Sequence, residues 1–224
     1  MSKKIIATTI AGVLLGMLWT VTASANLIVN GDFEAAPTGS HIGGGGGWKF
    51  YNADNVDGWE GDNIEIWSTL GLASYDGSDH HVELNAHSNS DNPNGDSIWR
   101  ISQTFNTVAG QMYDLFFAYS ARLSDSQSSN ESNEAFQVTV GDLDLDVNDH
   151  VVGSWSTQSV SFTAGSGATS TLSFESTEAD RYTYGNFIDE ITVTAAVPEP
   201  ASLALLGLGL VGLGFARRRK ASNS

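Results

Sequence analysis

Met112-Tyr113-Asp114-Leu115-Phe116-Phe117-Ala118-Tyr119 is the stretch on which the fold turns. Side chains alternate across a strand, so one face of this segment carries Tyr113, Leu115, Phe117 and Tyr119 and the other Met112, Phe116 and Ala118. Apolar residues on both faces predict a strand covered on both sides, at the centre of a sheet. Outward from it, residues 98–105, 136–140, 158–163, 170–174 and 188–193 are short runs rich in β-branched and aromatic residues, separated by Gly, Asn, Asp and Ser. That is the composition of strands and turns. Residues 27–29, 64–67, 82–84 and 143–147 are further candidates, which brings the expected number to about ten. No stretch between them keeps a helical period. The pattern predicts an all-β fold, a two-sheet antiparallel β-sandwich of jelly-roll type.

Both ends of the chain read as addresses. Lys3 and Lys4 precede an almost wholly apolar run from 5 to 21, and Ala23-Ser24-Ala25 supplies the small residues that a signal peptidase requires. Cleavage is expected after Ala25, making residues 1–25 a signal peptide; an uncleaved N-terminal anchor is the alternative. At the other end, residues 197–224 contain Pro198-Glu199-Pro200, then an uncharged stretch at 201–216, then Arg217-Arg218-Arg219-Lys220 as a basic stop. The uncharged stretch is a little short of the ~20 residues that cross a ~30 Å hydrocarbon core, and the cations hold its C-terminal end in the cytoplasm. Motif, membrane segment and basic cluster together resemble the PEP-CTERM sorting signal of exopolysaccharide-producing Gram-negative bacteria. The resemblance implies an exosortase-type processing enzyme that cleaves near 198–201 and passes the body to the cell surface or extracellular matrix. A plain C-terminal anchor is the alternative, and either reading exports the body.

Residues 26–196 have the length of one domain. The whole chain carries a net charge of −16, but six of its ten Lys and Arg fall in the two ends. The body keeps Lys49, Arg100, Arg122 and Arg181 against 25 acids, a charge of −21. Such a surface repels nucleic acid and anionic lipid and attracts divalent cations, so nucleic acid is excluded as a partner; solubility outside the cell accounts for much of the acidity. Cysteine is absent, so the exported domain relies on its core or on bound metal instead of disulfides.

The loop at 35–47, with five consecutive glycines at 43–47, is expected to be the most flexible part. Others run at 88–96 and 124–134, and functional contacts favour such loops. There is no Gly-x-Ser-x-Gly elbow, no His-Glu-x-x-His and no phosphate loop, and the body is read as non-catalytic. Asp142-Leu143-Asp144-Leu145-Asp146 fails the EF-hand pattern, with Val147 where Gly is needed and Gly153 where Glu is needed. It reads as a half-buried strand with three carboxylates toward solvent. His80 and His81 are adjacent, so in a strand they point to opposite faces and do not converge on zinc.

Three pieces of the body carry a second resemblance: Asn26-Leu27-Ile28-Val29-Asn30-Gly31-Asp32-Phe33-Glu34 at its start, Gln103-Thr104-Phe105 with Gly110, Tyr113 and Phe117 in its middle, and Gly185-Asn186-Phe187-Ile188-Asp189-Glu190-Ile191-Thr192-Val193 at its end. They look like the galactose-binding-like jelly rolls, which include many carbohydrate-binding modules and related cell-wall domains. The resemblance implies that the opening turn and the last strand meet at one structural calcium ion (Ca2+), with Glu34 and Asp189 as ligands by position and Asp32 and Glu190 as neighbours. Calcium wants six to eight oxygens, which carboxylates and loop carbonyls supply. The alternative is a simple turn at Asn30 and Asp32, with Glu34 and Asp189 facing water.

Aromatic rings with a polar handle suit sites that are apolar on one side and wet on the other. Trp67 and Trp99 follow strand patterns and are assigned to the core, whereas Trp48, Tyr51, Tyr182 and Tyr184 border loops and are the candidate ligand-binding residues. The expected protein is exported, surface-sorted and non-catalytic, and binds a glycan of the extracellular polysaccharide or biofilm matrix. One alternative is a structural or adhesive matrix protein that uses calcium and protein contacts without reading sugar. The other is a small polysaccharide-active enzyme, which needs two carboxylates about 5–9.5 Å apart across a groove.

Overall fold

The computed structural model describes residues 25–68, 72–84, 98–122, 135–148, 152–177 and 185–196, together with Gly207 and Gly209, which are helical. All described strands belong to the compact unit Ser24–Val197, and the two ends of the chain make up the other unit. Pro198, Glu199 and Pro200, the basic stop at 217–220 and nearly all of the apolar segments lie outside the described residues. Among the described residues no helix is long and apolar enough to cross a membrane.

The strands are β1 (Gly43–Gly45), β2 (Trp48–Tyr51), β3 (Glu60–Gly61), β4 (Ile64–Ser68), β5 (His80–Leu84), β6 (Arg100–Asn106), β7 (Met112–Ala121), β8 (Phe136–Val140), β9 (Leu143–Val147), β10 (Ser156–Thr163), β11 (Thr169–Ser176) and β12 (Asn186–Ala195). They form a seven-stranded sheet in the order β1-β2-β4-β5-β12-β7-β10 and a five-stranded sheet in the order β3-β6-β11-β8-β9. Every pairing within them is antiparallel. The inward residues of both sheets, among them Leu115, Phe117, Trp99, Phe136, Leu172 and Phe174, make a buried core of the β-sandwich kind.

The decisive stretch is β7, held between β12 and β10. Tyr113, Leu115, Phe117 and Tyr119 are buried as expected, but on the other face Met112 and Asp114 are exposed, Phe116 is half-buried and only Ala118 is fully covered. Cover on that face begins where the Tyr75 ring packs 6.1 Å from Phe116, so the strand is two-sided only over its second half.

Two expectations are corrected. Residues 27–29 have strand composition but form no strand, because side chains take the hydrogen bonds that a ladder would use. The Asn26 carboxamide oxygen accepts from Ile28 and Val193, and the Gln103 carboxamide both accepts from the Val29 N–H and donates to the Val29 carbonyl. The glycine run is also not wholly loop, since Gly43–Gly45 pairs with Trp48, Lys49 and Phe50. A Cβ at Gly43 would stand 2.4 Å from the Phe50 ring and one at Gly45 3.0 Å from the Trp48 indole. Rings thus lie where side chains are missing, a known way to secure glycine in a strand.

The opening turn sits on a bulge in β12 between Asp189 and Thr192, where Ile191 donates to the Gly31 carbonyl at 2.9 Å. Asn30, Phe33 and Glu190, the non-glycine residues with positive φ among the described residues, all belong to this junction. A Cβ on residue 31 would fall 2.1 Å from the Ile191 carbonyl oxygen, a backbone atom that cannot swing aside. Gly31→Ala is therefore expected to lower stability by about 1–3 kcal/mol, measured as a shifted urea midpoint; an unchanged midpoint would mean that the turn is not seated on the bulge.

Candidate functional site

Residues directly opposite one another on paired strands share a face, so the register of the seven-stranded sheet defines what its outer face presents. One row runs Phe50, Glu65, Glu83, Phe187, Ser120, and the next contains Trp48, Trp67 and His81. The outer face of this sheet is aromatic and acidic where an ordinary sandwich is simply polar. Phe50, Glu65, Trp67, His81, Glu83 and Phe187 are all buried.

Glu65 and Glu83 are cross-strand partners in the middle of this face. The Arg122 guanidinium approaches Glu83 at 2.6 Å and Glu65 at 4.0 Å. Gly185 donates its N–H to Glu83 and the Trp67 indole donates to Glu65, each at 2.8 Å. Burial, and then the charge and hydrogen bond of Glu65, push the Glu83 carboxyl well above the usual carboxylate range, only partly offset by Arg122 and the Gly185 amide. Close carboxyls in such a place share a proton. Arg122 also lies 4.2 Å above the Trp67 ring, a desolvated cation–π contact. Beside Arg122 opens a cavity of about 360 Å³ bordered by Trp67, Leu72, Arg122, Val152, Gly153 and Phe187, within the size range of small-ligand sites.

Trp48 is half-buried and stacks on Trp67 with ring centroids 6.2 Å apart. Tyr51 pairs in register with the core residue Ile64, and its ring meets His41 at 6.4 Å. Both border a smaller cavity of about 190 Å³ that also touches Glu34, Lys49 and His80. Tyr182 and Tyr184 lie outside the described residues. Trp99 is in the core as expected, whereas Trp67 is buried on the outer face, beneath Arg122, where it walls the larger cavity.

The candidate metal ligands divide into two groups. Glu34 accepts from the N–H groups of Asp79 and His80 and lies 2.9 Å from His80 Nδ1; burial pushes its carboxyl up, but the bonds from His80 and Ser78 outweigh it and hold it below its ordinary value. Asp32 accepts from the Glu34 N–H. Asp189 is fully buried and accepts from the N–H groups of Tyr75 and Glu190. Burial pushes its carboxyl up to about 7 in spite of those bonds. Glu190 is raised by burial and then by Asp76, which hydrogen-bonds it, and by Asp32. Among the described residues no three His, Asp or Glu side chains already form a group that could hold a metal ion. The acids around Asp189 nonetheless offer only hard oxygen, the chemistry that calcium prefers.

The fold is a two-sheet antiparallel β-sandwich, in a chain that carries a surface-sorting signal. Residues 26–194 match the family described as Protein of unknown function (DUF642), and the chain belongs to that family. Residues 196–220 match the PEP-CTERM protein-sorting motif, which implies export, exosortase processing and sorting to the cell surface. No curated protein matches the chain. Among solved structures, it is similar to "Family 16 Carbohydrate Binding Module-2", with 16% identity over 75% of this chain and 99% of that one and a TM-score of 0.46. TmCBM61 in complex with β-1,4-galactotriose is 14% identical over 77% of this chain and 100% of that one, with a TM-score of 0.42. The family 35 module from Paenibacillus barcinonensis is 21% identical over 66% of this chain and 98% of that one, with a TM-score of 0.39.

Proposed function

We propose that the exported domain binds a glycan of the extracellular polysaccharide or biofilm matrix, without catalysis, in the cavity on the outer face of the seven-stranded sheet. The observation that carries this reading is the pairing of ring walls, Trp67 and Phe187, with a fixed polar group, Arg122 on Glu83. A sugar ring has an apolar face that packs on aromatic rings, and hydroxyls that need planar donors and acceptors held in place. Trp48 extends the ring surface beside Trp67, and in the sequence Tyr182 and Tyr184 stand three residues and one residue before Gly185, which bonds Glu83. Tyr51 belongs to the smaller cavity, a second place for sugar contact. Glu65 and Glu83 hydrogen-bond one another, closer than the about 5–9.5 Å of a glycosidase pair, which favours binding over hydrolysis. Calcium is the cofactor we assign to the junction of the opening turn and β12, supported by the burial of the Asp189 carboxyl and by its acidic neighbours.

Val152 is 43% exposed at the rim of the cavity, so Val152→Trp should fill the space without touching the core. In affinity electrophoresis through gels containing matrix polysaccharide, the mature protein should be retarded by the glycan it binds. The variant should lose about tenfold or more in affinity with an unchanged melting temperature. Equal retardation of both proteins would remove the site from this cavity.

A further inference from the structure

His81 has neither solvent nor a hydrogen-bond partner. It is fully buried, and both ring nitrogens lack a partner among the described residues. A neutral imidazole brings one donor and one acceptor, and burying both unmet is unfavourable unless something else meets them. Its ring packs edge-on against Phe187 at 4.6 Å and against Trp155 at 5.5 Å, and it stands opposite Trp67 in register. It therefore lies directly behind two walls of the larger cavity.

Trp155 separates His81 from the outside. It is half-buried, its other ring neighbour is the exposed Tyr75 at 6.2 Å, and its indole N–H donates to the Ala73 carbonyl at 2.7 Å. Ala73 follows Leu72, and Trp155 lies two residues beyond Gly153; Leu72, Val152 and Gly153 all border the cavity. The indole bond thus ties the two segments next to the cavity lining together, through the ring that packs on His81.

We propose that His81 is the hydrogen-bonding residue of a second sugar subsite, reached when Trp155 releases Ala73, so that the ligand is a chain of at least two neutral sugar units. The inference rests on the reading that the cavity takes a glycan. One donor and one acceptor on a rigid ring match a sugar hydroxyl or a vicinal pair, each of which can accept and donate. Among the described residues nothing at this end recognises a carboxylate or sulfate. Arg122, the cation bordering the cavity, is engaged by Glu83, and a body with a charge of −21 repels polyanions.

The test is calorimetric titration of the mature protein, its His81→Leu variant and its Trp155→Phe variant. The probes are neutral β-1,4-linked oligosaccharides of glucose, xylose, mannose and galactose, from monosaccharide upward, with oligomers of uronic acid alongside. In the wild type, affinity should rise about tenfold from one sugar unit to the longer oligomers. His81→Leu should lose that rise, keep its affinity for the single unit, and melt no lower than wild type because two unmet nitrogens are gone. Trp155→Phe, which keeps the ring but not the donor, should bind the longer oligomers more tightly. A His81→Leu protein that keeps the full rise would overturn the proposal. Binding confined to uronic acid oligomers would overturn the neutral-sugar assignment and leave glycan binding standing, whereas no binding to any probe would remove the glycan reading itself. Should the variant fail to fold, the ring-nitrogen NMR shifts of His81 in wild type decide: movement on adding oligosaccharide supports the subsite, and no movement rejects it.

Discussion

Arg122→Met is expected to destabilise the domain by about 3 kcal/mol at pH 8, and by much less at pH 5. Glu65 and Glu83 are buried, with Arg122 between them and solvent at 22% side-chain exposure. Removing the cation leaves their negative charge to donors such as the Trp67 indole and the Gly185 amide, neither of which carries a charge. Met keeps the length and apolar body of the side chain, so the packing over Trp67 is largely preserved and the loss reports on charge. The sign with pH follows from Glu83, whose carboxyl is raised well above its ordinary value and so favours the protonated form in the fold. Without Arg122 the Glu83 carboxyl is raised further, and the variant should lose stability more steeply as pH rises. Adding Glu83→Gln should recover most of the loss, since one buried charge then goes with its partner. Urea unfolding at the two pH values measures all three proteins; a single variant as stable as wild type at pH 8 would show that the pair does not depend on the guanidinium.

The second large effect belongs to Asp189. Its carboxyl titrates near 3.8 in the unfolded chain and at about 7 in the fold, chiefly through burial. The folded state therefore holds a proton that the unfolded state gives up. The associated stability is complete below about pH 4 and is lost as pH rises to 7, by about 4 kcal/mol at the upper end. His81 runs the other way: burial pulls its imidazole from 6.5 to about 4, so its contribution is complete above 6.5 and fades as pH falls. Asp189→Asn isolates the first effect. At pH 4 the variant should be somewhat less stable than wild type, because an amide nitrogen replaces one of the oxygens that accept from Tyr75 and Glu190. The balance should move toward the variant through pH 7. Calcium should raise the melting temperature of wild type most above pH 7, where Asp189 is ionised, and should do little for the variant. A midpoint at pH 8 that ignores both calcium and chelator would sink the calcium assignment while leaving the pH dependence intact.

Side-chain alternation was enough to find the sandwich. Residues 136–140 and 143–147 form β8 and β9 at the expected bounds, and β4, β5, β7, β10, β11 and β12 extend the expected segments by one to four residues. What escaped depends on partners outside the segment itself. β1 has no side chains to read, and its glycines become a strand only because Trp48 and Phe50 lie against them. Residues 27–29 were right in propensity but give their hydrogen bonds to Asn26 and Gln103.

The site was less legible, because facing residues are set by register. Glu65 and Glu83 each sit between apolar neighbours in a short strand, Ile64-Glu65-Ile66 and Val82-Glu83-Leu84. A charge in that position was the available signal, but nothing in the sequence says that the two meet, or that Arg122 caps them. Trp67 was read as core because burial alone does not say which face of a sheet is covered. The opposite outcome for His80 and His81 was legible from alternation: His80 bonds Glu34 while His81 lies behind Phe187 and Trp155.

The sheet edges bear on how this protein lives among its own copies. The seven-stranded sheet ends on one side in three glycines, and the five-stranded sheet ends in a strand of two residues and in β9, where Asp144 and Asp146 face solvent. A neighbouring chain that tried to add a strand would find an edge too short to grip, or would bring its own aspartates against another row of the same charge. Among the described strands three of the four sheet edges are thereby poor templates for strand addition, which leaves β10, Ser156–Thr163, as the one long edge where a neighbouring chain could pair.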